Sequence, residues 1–392
     1  MTTKQHWILP EGIEEVLPEQ AARFEMIRRL LLDMYAAWGY ELVIPPTIDF
    51  IDSLLTGTGH DLDLQTFKLV DQLSGRTLGI RADMTPQVAR IEAHQLQRDV
   101  PTRLCYIGTV LHTVPECIGD SRSPMQVGAE LYGHAGVESE VEIIGLMLQT
   151  FSLLEIDDIY MDLGNVDIYR GLAKQAGLSK EVESQLFEML QRKAVTEINA
   201  LLDSLAIDQG MKDMLSGLPS LNGGVEVIAK ARKLLHAADQ QVQKAIDYLE
   251  KTAELTTQRF GDIKLHFDLS ELQGYHYKTG VVFAAFVPEL GQAIARGGRY
   301  DDIGEIFGRA RAATGFSTDL KVLDRLSKKQ FAPVEKILAP CDGDPGLKDK
   351  IAALRAQGVT VVEQLPGQLA DARAMGCNKS LCLIDGQWQI KD

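Results

Sequence analysis

Six side chains have types suited to holding a small polar molecule by charge and hydrogen bonding. Asp83 and Thr85 stand in RADMT, residues 81–85, and Gln126 and Glu130 in QVGAE, residues 126–130. Tyr277 and Tyr300 follow in QGYHYKTG, residues 273–280, and ARGGRYDDI, residues 295–303. Carboxylates accept from cationic donors, whereas amide, hydroxyl and phenol groups can both donate and accept. Asp83 and Thr85 have a second reading, because Thr85 followed by Pro86 is a strong helix start in which both side chains would serve as caps.

These residues need elements to position them. Residues 104–111 read as a strand, 115–124 as loop chemistry and 125–132 as a second strand that carries Gln126 and Glu130. Residues 66–91 read as a hairpin turning at Ser74-Gly75, then a strand, then the helix opened by Thr85 and Pro86. Further upstream, LPEGIEEVLPEQ, residues 9–20, leads into a helix whose Phe24, Ile27, Leu31 and Met34 form one stripe. Gly39 stops that helix, and residues 41–44 read as a strand running into Pro45 and Pro46.

Downstream, residues 138–154 read as a helix and 158–163 as a strand. From about residue 167 to 259 the pattern is helical, with Val182, Leu186, Met189 and Leu190 on one face and Val242, Ile246 and Leu249 on another. The cluster SGLPSLNGG, residues 216–224, divides two helical groups. IKLHFDLSEL, residues 263–272, alternates as a strand with Ile263, Leu265, Phe267 and Leu269 on one side. Residues 1–326 then form a main domain, 327–335 a linker, and 336–392 a small α/β domain in which KILAP, GLKDKIAALRAQG, VTVVEQL, LADARAMGC and KSLCLIDG alternate as strand and helix. At about sixty residues, the last part is near the lower limit for an independent core.

The chain of 392 residues carries a formal charge of −15, which argues against a broad nucleic-acid surface. No segment approaches about eighteen consecutive apolar residues, and MTTKQHWILPEG lacks the pattern of a signal peptide. A cytoplasmic protein with no membrane partner is expected. Cys105, Cys117, Cys341, Cys377 and Cys382 show neither a C-x-x-C pair nor zinc spacing, so no metal and no cofactor are expected.

The strand, loop and strand of residues 106–133 resemble motif 2 of the class II aminoacyl-tRNA synthetases, and of histidyl-tRNA synthetase in particular. Gly108, Arg122, Gln126, Gly128, Glu130 and Gly133 match without a gap, while His112 and Val114 replace the Arg and Glu of the Arg-x-Glu triplet. The region around residues 18–46 is similar to motif 1. RADMT stands where the family has Arg-Pro-Glu-x-Thr, and ARGGRYDDI is nearly intact against a histidine-specific signature. QGYHYKTG keeps Gly274, Tyr277, Thr279 and Gly280, yet Gln273 takes the place of the arginine at the histidine carboxylate, His276 of Asp and Lys278 of Tyr. GFSTDLKVL, residues 315–323, is similar to motif 3, with Lys321 for Glu and Val322 for the arginine at the γ-phosphate.

The resemblance implies an α+β class II fold: an antiparallel sheet with flanking helices, a helical insertion and a small C-terminal α/β domain, with motif 1 building a homodimer. It also implies a pocket made of Asp83, Thr85, Gln126, Glu130, Tyr277 and Tyr300, and three lost arginines at His112, Gln273 and Val322. Each such loss in a preorganised site removes about 2–4 kcal/mol of transition-state stabilisation. A synthetase-like chain without these cations is identified as a member of the paralogues that act as regulatory subunits of ATP phosphoribosyltransferase. Membership implies no catalytic residues on this chain, dimers assembled with dimers of a short-form catalytic subunit into a hetero-octamer, activation of that subunit, and feedback inhibition by L-histidine at the first step of histidine biosynthesis. Two other readings remain: an active histidyl-tRNA synthetase in which Lys278, Arg296 or Arg122 replaces the lost arginines, and a tRNA-binding sensor on an inactive fold. The short C-terminal part lacks a basic or aromatic nucleic-acid face, which favours no tRNA.

Overall fold

The computed structural model describes residues 7–55, 60–115, 120–261, 263–270, 277–368 and 371–392. Gln273, His276 and Cys117 lie outside them. Two compact units emerge, residues 1–329 and residues 330–392.

In the first unit, α1 (Pro18–Ala37) is followed by β1 (Glu41–Leu42), β2 (Ile48–Phe50), α2 (Ile51–Leu55), α3 (His60–Gln65), β3 (Phe67–Val70), β4 (Thr77–Ile80) and α4 (Thr85–Arg90). Next come β5 (Thr102–Thr109), β6 (Met125–Tyr132), α5 (Val137–Leu153) and β7 (Tyr160–Asn165). The helical insertion comprises α6 (Val166–Gln175), α7 (Lys180–Gln191), α8 (Val195–Ser204), α9 (Gln209–Gly217), β8 (Asn222–Gly223), α10 (Glu226–Leu234) and α11 (Gln240–Phe260). The unit closes with β9 (Lys264–Asp268), β10 (Val281–Phe286), β11 (Ala295–Arg299), α12 (Ile303–Ile306), β12 (Ala313–Asp319) and α13 (Leu320–Leu326).

Among the described residues a nine-stranded sheet runs in the order β1-β5-β6-β12-β11-β10-β7-β9-β8. Pairing is antiparallel from β5 through β7, and parallel where β1 meets β5 and where β7 meets β9. The remaining strands, β2, β4 and β3, form a small separate antiparallel sheet. Strand alternation divides the large sheet's chemistry between its faces. Cys105, Ala129, Leu131 and Phe316 are buried on one side, where Tyr35 of α1 meets Phe316 edge to face at 6.4 Å and bonds Thr150 of α5 through its hydroxyl at 3.1 Å. The register sets Tyr106 opposite Gly128, and Glu130 opposite both Leu104 and Gly315, so Tyr106, Gln126, Glu130 and Asp319 share the other face.

Several expectations need correction. The buried stripe of α1 is Phe24, Ile27, Leu31 and Tyr35; Met34 is only partly covered, because the helical period of 3.6 carries Tyr35 inward after Leu31. The strand expected over residues 41–44 is limited to β1, since Pro45 and Pro46 cannot continue a ladder. That over 263–272 ends at Asp268, whose carboxylate turns the chain by accepting from Ser270 N at 2.9 Å and Ser270 Oγ at 2.7 Å. The dividing cluster at 216–224 also contributes β8, which pairs with β9. After α4 the helix widens into a π turn, Ile91–Leu96, closed by Gln97 at φ +47°.

In the second unit, β13 (Lys336–Ala339), α14 (Pro345–Ala356), β14 (Thr360–Glu363), β15 (Lys379–Ile384) and β16 (Gln387–Lys391) build a sheet ordered β14-β13-β15-β16. Ile337, Leu347, Ile351, Val361 and Leu381 form its core. The helix expected over 369–377 is absent from the described residues 371–377, which make only turns: Asp371 accepts from Ala374 N at 2.8 Å and the chain reverses by Cys377. In its place at the end of the sheet stands β16, which sequence reading did not anticipate.

Candidate functional site

A cavity of about 1110 Å³ opens on the polar face of the large sheet. Asp83, Thr85, Gln126, Glu130, Tyr277 and Tyr300 all line it, as do His112 and Val322. Segments far apart in sequence therefore meet in one site, with β6 and β12 as its floor and the start of α4 at its side.

The polar groups form a continuous chain of hydrogen bonds. Gln126 accepts from Met84 N at 2.9 Å through Oε1 and donates to Asp83 Oδ1 at 2.7 Å through Nε2, which fixes the orientation of the amide. Asp83 Oδ1 also accepts from Thr85 N at 3.0 Å, so it does help to start the helix. The Thr85 hydroxyl makes no capping bond; it lies 3.0 Å from Tyr106 Oη. Tyr106 donates to Glu130 Oε1 at 2.9 Å, Tyr300 donates to Glu130 Oε2, and Tyr132 Oη is 3.2 Å from Tyr300 Oη. Tyr277 packs against the same cluster.

Glu130 is 1 % exposed. Burial pushes its carboxyl up to about 8, and this outweighs the two phenol donors that favour the ionised form. Tyr106 and Tyr300 are raised as well, first by burial and then by the adjacent negative charge. Two glycines make this arrangement possible. A Cβ at Gly128 would strike the Tyr106 ring, and one at Gly315 would overlap the Glu130 carboxylate.

The cations named by sequence reading have structural partners. Arg122 donates from Nε to His112 O at 3.1 Å and from Nη1 to Glu11 O at 3.1 Å. Arg81 is spent similarly, on Pro45 O at 2.6 Å and Thr109 O at 3.0 Å. Lys278 lines the cavity but donates to Gly297 O at 2.8 Å. His112 is buried, with Nε2 2.9 Å from Ala82 O, and Val322 presents an isopropyl group. The glycine-rich β11 is anchored by Arg299, which pairs with the fully buried Glu140 at 2.5 Å and Asp301 at 3.1 Å. Tyr248 of α11 donates to the same Glu140 at 2.7 Å, tying the insertion to this strand.

Sequence reading missed Tyr106 and Tyr132. Their signal was available in part: once β5 and β6 are paired as neighbouring strands, alternation turns Tyr106 and Tyr132 to the Glu130 face.

This geometry sits on a chain with close relatives. A family model described as "Histidyl-tRNA synthetase" matches residues 12–323, and one described as "ATP phosphoribosyltransferase subunit HisZ C-terminal domain" matches residues 334–391. The ATP phosphoribosyltransferase regulatory subunit of Thioalkalivibrio sulfidiphilus is 57% identical over 100% of both chains, and that of Pseudomonas paraeruginosa is 55% identical over 100% of this chain and 99% of its own. Among solved structures, an ATP phosphoribosyltransferase regulatory subunit/histidyl-tRNA synthetase from Bacillus halodurans superposes with a TM-score of 0.83 at 27% identity, covering 94% of this chain and 96% of that one. A histidyl-tRNA synthetase from Nostoc sp. PCC 7120, at 16% identity and a TM-score of 0.77 over 96% of this chain and 91% of its own, shares the fold. The α+β class II architecture expected from the motifs is thus the one adopted, and the chain belongs to the family of ATP phosphoribosyltransferase regulatory subunits.

Proposed function

We propose that this chain is a noncatalytic regulatory subunit of ATP phosphoribosyltransferase, in which the cavity holds L-histidine and the phosphoribosyl-transfer site lies on a short-form catalytic partner. The observation that carries this reading is the asymmetry of the cavity wall. One end retains carboxylates, amide and phenols suited to an amino acid with an imidazole. At the positions where related synthetases carry arginines against anions, His112 is turned to Ala82 O and Val322 is apolar. Adenylate formation needs fixed positive charge, because every reacting oxygen is anionic.

In this reading Asp83 receives the ammonium, while Glu130 and Tyr300 face the imidazole. The subunit forms a homodimer, joins dimers of the catalytic subunit in a hetero-octamer, and shifts that enzyme between an active and a histidine-inhibited state through a difference in histidine affinity between the two states.

Two assays test the proposal together. The purified chain is expected to give no histidine-dependent exchange of pyrophosphate into ATP, and to raise the turnover of a short-form catalytic subunit when the two are mixed. Exchange at an ordinary enzymatic rate, or no effect on the transferase, overturns it. The mass of the copurified complex gives the stoichiometry.

A further inference from the structure

The register of the large sheet sets Arg296 midway between the two ends of the polar chain. On β6, Gln126, Gly128 and Glu130 share the cavity face, successive members being about 7 Å apart. Their partners on β12 are Asp319, Ser317 and Gly315, and on β11 Ser317 and Gly315 pair in turn with Arg296 and Gly298. Arg296 therefore stands in the middle row, one step from the Gln126 level and one from the Glu130 level, about 10 Å to the side of β6. Ser317 and Arg296 both line the cavity. The surface around them is low, with Ala284 opposite Arg296 on β10 and Gly298 two residues on. Lys278 runs past Gly298 to donate to Gly297 O at 2.8 Å, so two cations border this side of the cavity.

An amino acid brings a carboxylate into the cavity along with its ammonium, and that carboxylate needs donors of its own. The end beside α4 does not offer them. Asp83 is there to receive the ammonium, Asp319 lies in the same row as Gln126, and Lys321 is paired with Glu14 at 2.6 Å. A second carboxylate at that end meets like charge. A ligand reaching from Asp83 to Glu130 crosses the Gly128 level, where the Tyr106 side chain already covers Gly128. The direction left to its carboxylate is over Ser317 toward β11. A guanidinium matches a planar carboxylate with two parallel bonds, and the length of an arginine side chain spans one strand spacing of about 5 Å.

We infer that Arg296, with the Ser317 hydroxyl beside it, anchors the α-carboxylate of the bound amino acid, so that Asp83, Glu130 and Arg296 are three corners of one recognition site. This rests on histidine occupying the cavity, as proposed above. The cation sits on a different segment from the one suggested by motif register: related synthetases carry theirs at the position of Gln273, whereas here it rises from β11. Three fixed corners also make the site chiral. D-histidine that satisfies Asp83 and Glu130 turns its carboxylate away from β11.

The test is calorimetry on the full chain with L-histidine, D-histidine and histamine, which lacks the carboxylate. Arg296→Gln should bind L-histidine about tenfold more weakly while its affinity for histamine stays within about twofold, and its preference for L- over D-histidine should shrink. Arg296→Lys keeps the charge but not the fork, and should recover part of the loss. Ser317→Ala should weaken L-histidine about threefold without affecting histamine, and serves as the second variant should Arg296→Gln fail to fold. Equal weakening of L-histidine and histamine, an unchanged affinity for L-histidine, or an unchanged preference for the L form overturns the assignment of Arg296. Absence of L-histidine binding to the unsubstituted chain removes the histidine reading itself, whereas binding with the wrong variant pattern removes only the role of Arg296.

Discussion

Tyr300 donates its phenol proton to Glu130 Oε2 while Tyr106 donates to Oε1 at 2.9 Å, so one buried carboxyl is served by two phenols and, among the described residues, by no ion-pair partner. The consequence is a pH dependence. In the folded protein this carboxyl titrates at about 8, against an ordinary value of 4.5. Between those values the folded state keeps a proton that the unfolded chain releases. The stabilisation is therefore complete below about pH 4.5 and is lost as pH rises through 8, with a slope of up to about 1.4 kcal/mol per pH unit. Denaturant titrations at a series of pH values should show this decline, and Glu130→Gln should flatten it. The same slope in both proteins would assign the effect to another group.

Asp83 is already engaged by Thr85 N and Gln126 Nε2, so Asp83→Asn should preserve the local fold while removing the charge offered to an ammonium. Charge-assisted bonds are about twice as strong as neutral ones, and the expected loss in histidine affinity is about tenfold. Calorimetry with histidine and with an analogue lacking the α-amino group separates the possibilities. Both should weaken equally if Asp83 acts only by starting the helix, and only histidine should weaken if it holds the ammonium.

The boundaries of β6 were legible to the residue because Pro124 and Gly133 punctuate it. The insertion helices announced themselves by apolar stripes and by Ser179, Asp208 and Asp239, whose side chains cap α7, α9 and α11. Membership of the cavity by Asp83, Gln126, Glu130 and Tyr300 followed from motif register. Other features depend on partners that local pattern does not name. Arg122 looked available for an anion, yet its hydrogen bonds run to backbone carbonyls at residues 11 and 112. A tyrosine in an apolar strand reads as core until pairing turns it toward a carboxylate, as at Tyr106. The hairpin from β15 to β16 did carry a signal, Asp385-Gly386, the favoured dipeptide of a two-residue turn, with both residues at positive φ.

Arg299 and Glu140 provide a stability test away from the cavity's polar chain. Both side chains are at most 5% exposed, and Arg299 also reaches Asp301, Ser139 and His134 O. Arg299→Met should leave Glu140 buried with, among the described residues, only Tyr248 as a side-chain donor, at a cost of about 3–5 kcal/mol. Equilibrium unfolding measures this. Glu140→Gln in the Arg299→Met background should recover part of the loss, because the uncompensated charge is then gone. No recovery would mean that the guanidinium acts chiefly through its hydrogen bonds to β11 and its neighbours.

The approach of Tyr106 to Gly128 in the site's floor offers a stringent check on its geometry. The three atoms nearest to a Cβ built at Gly128 all belong to the Tyr106 side chain, Oη, Cζ and Cε2. Gly128→Ala should therefore cost roughly 1–3 kcal/mol by forcing the Tyr106 ring off its position over β6, and with it the hydrogen bond to Glu130. Tyr106→Phe should not relieve this, since the ring still occupies the space. Tyr106→Ala has its own large cost from the lost ring, yet adding Gly128→Ala to it should cost almost nothing, because the methyl group then enters vacated volume. The coupling between the two positions, read from a double-mutant cycle of unfolding free energies, should thus be at least about 1 kcal/mol and favourable. Additive costs would place the Tyr106 ring elsewhere and would break the hydrogen-bond chain from Thr85 to Glu130 at its middle link.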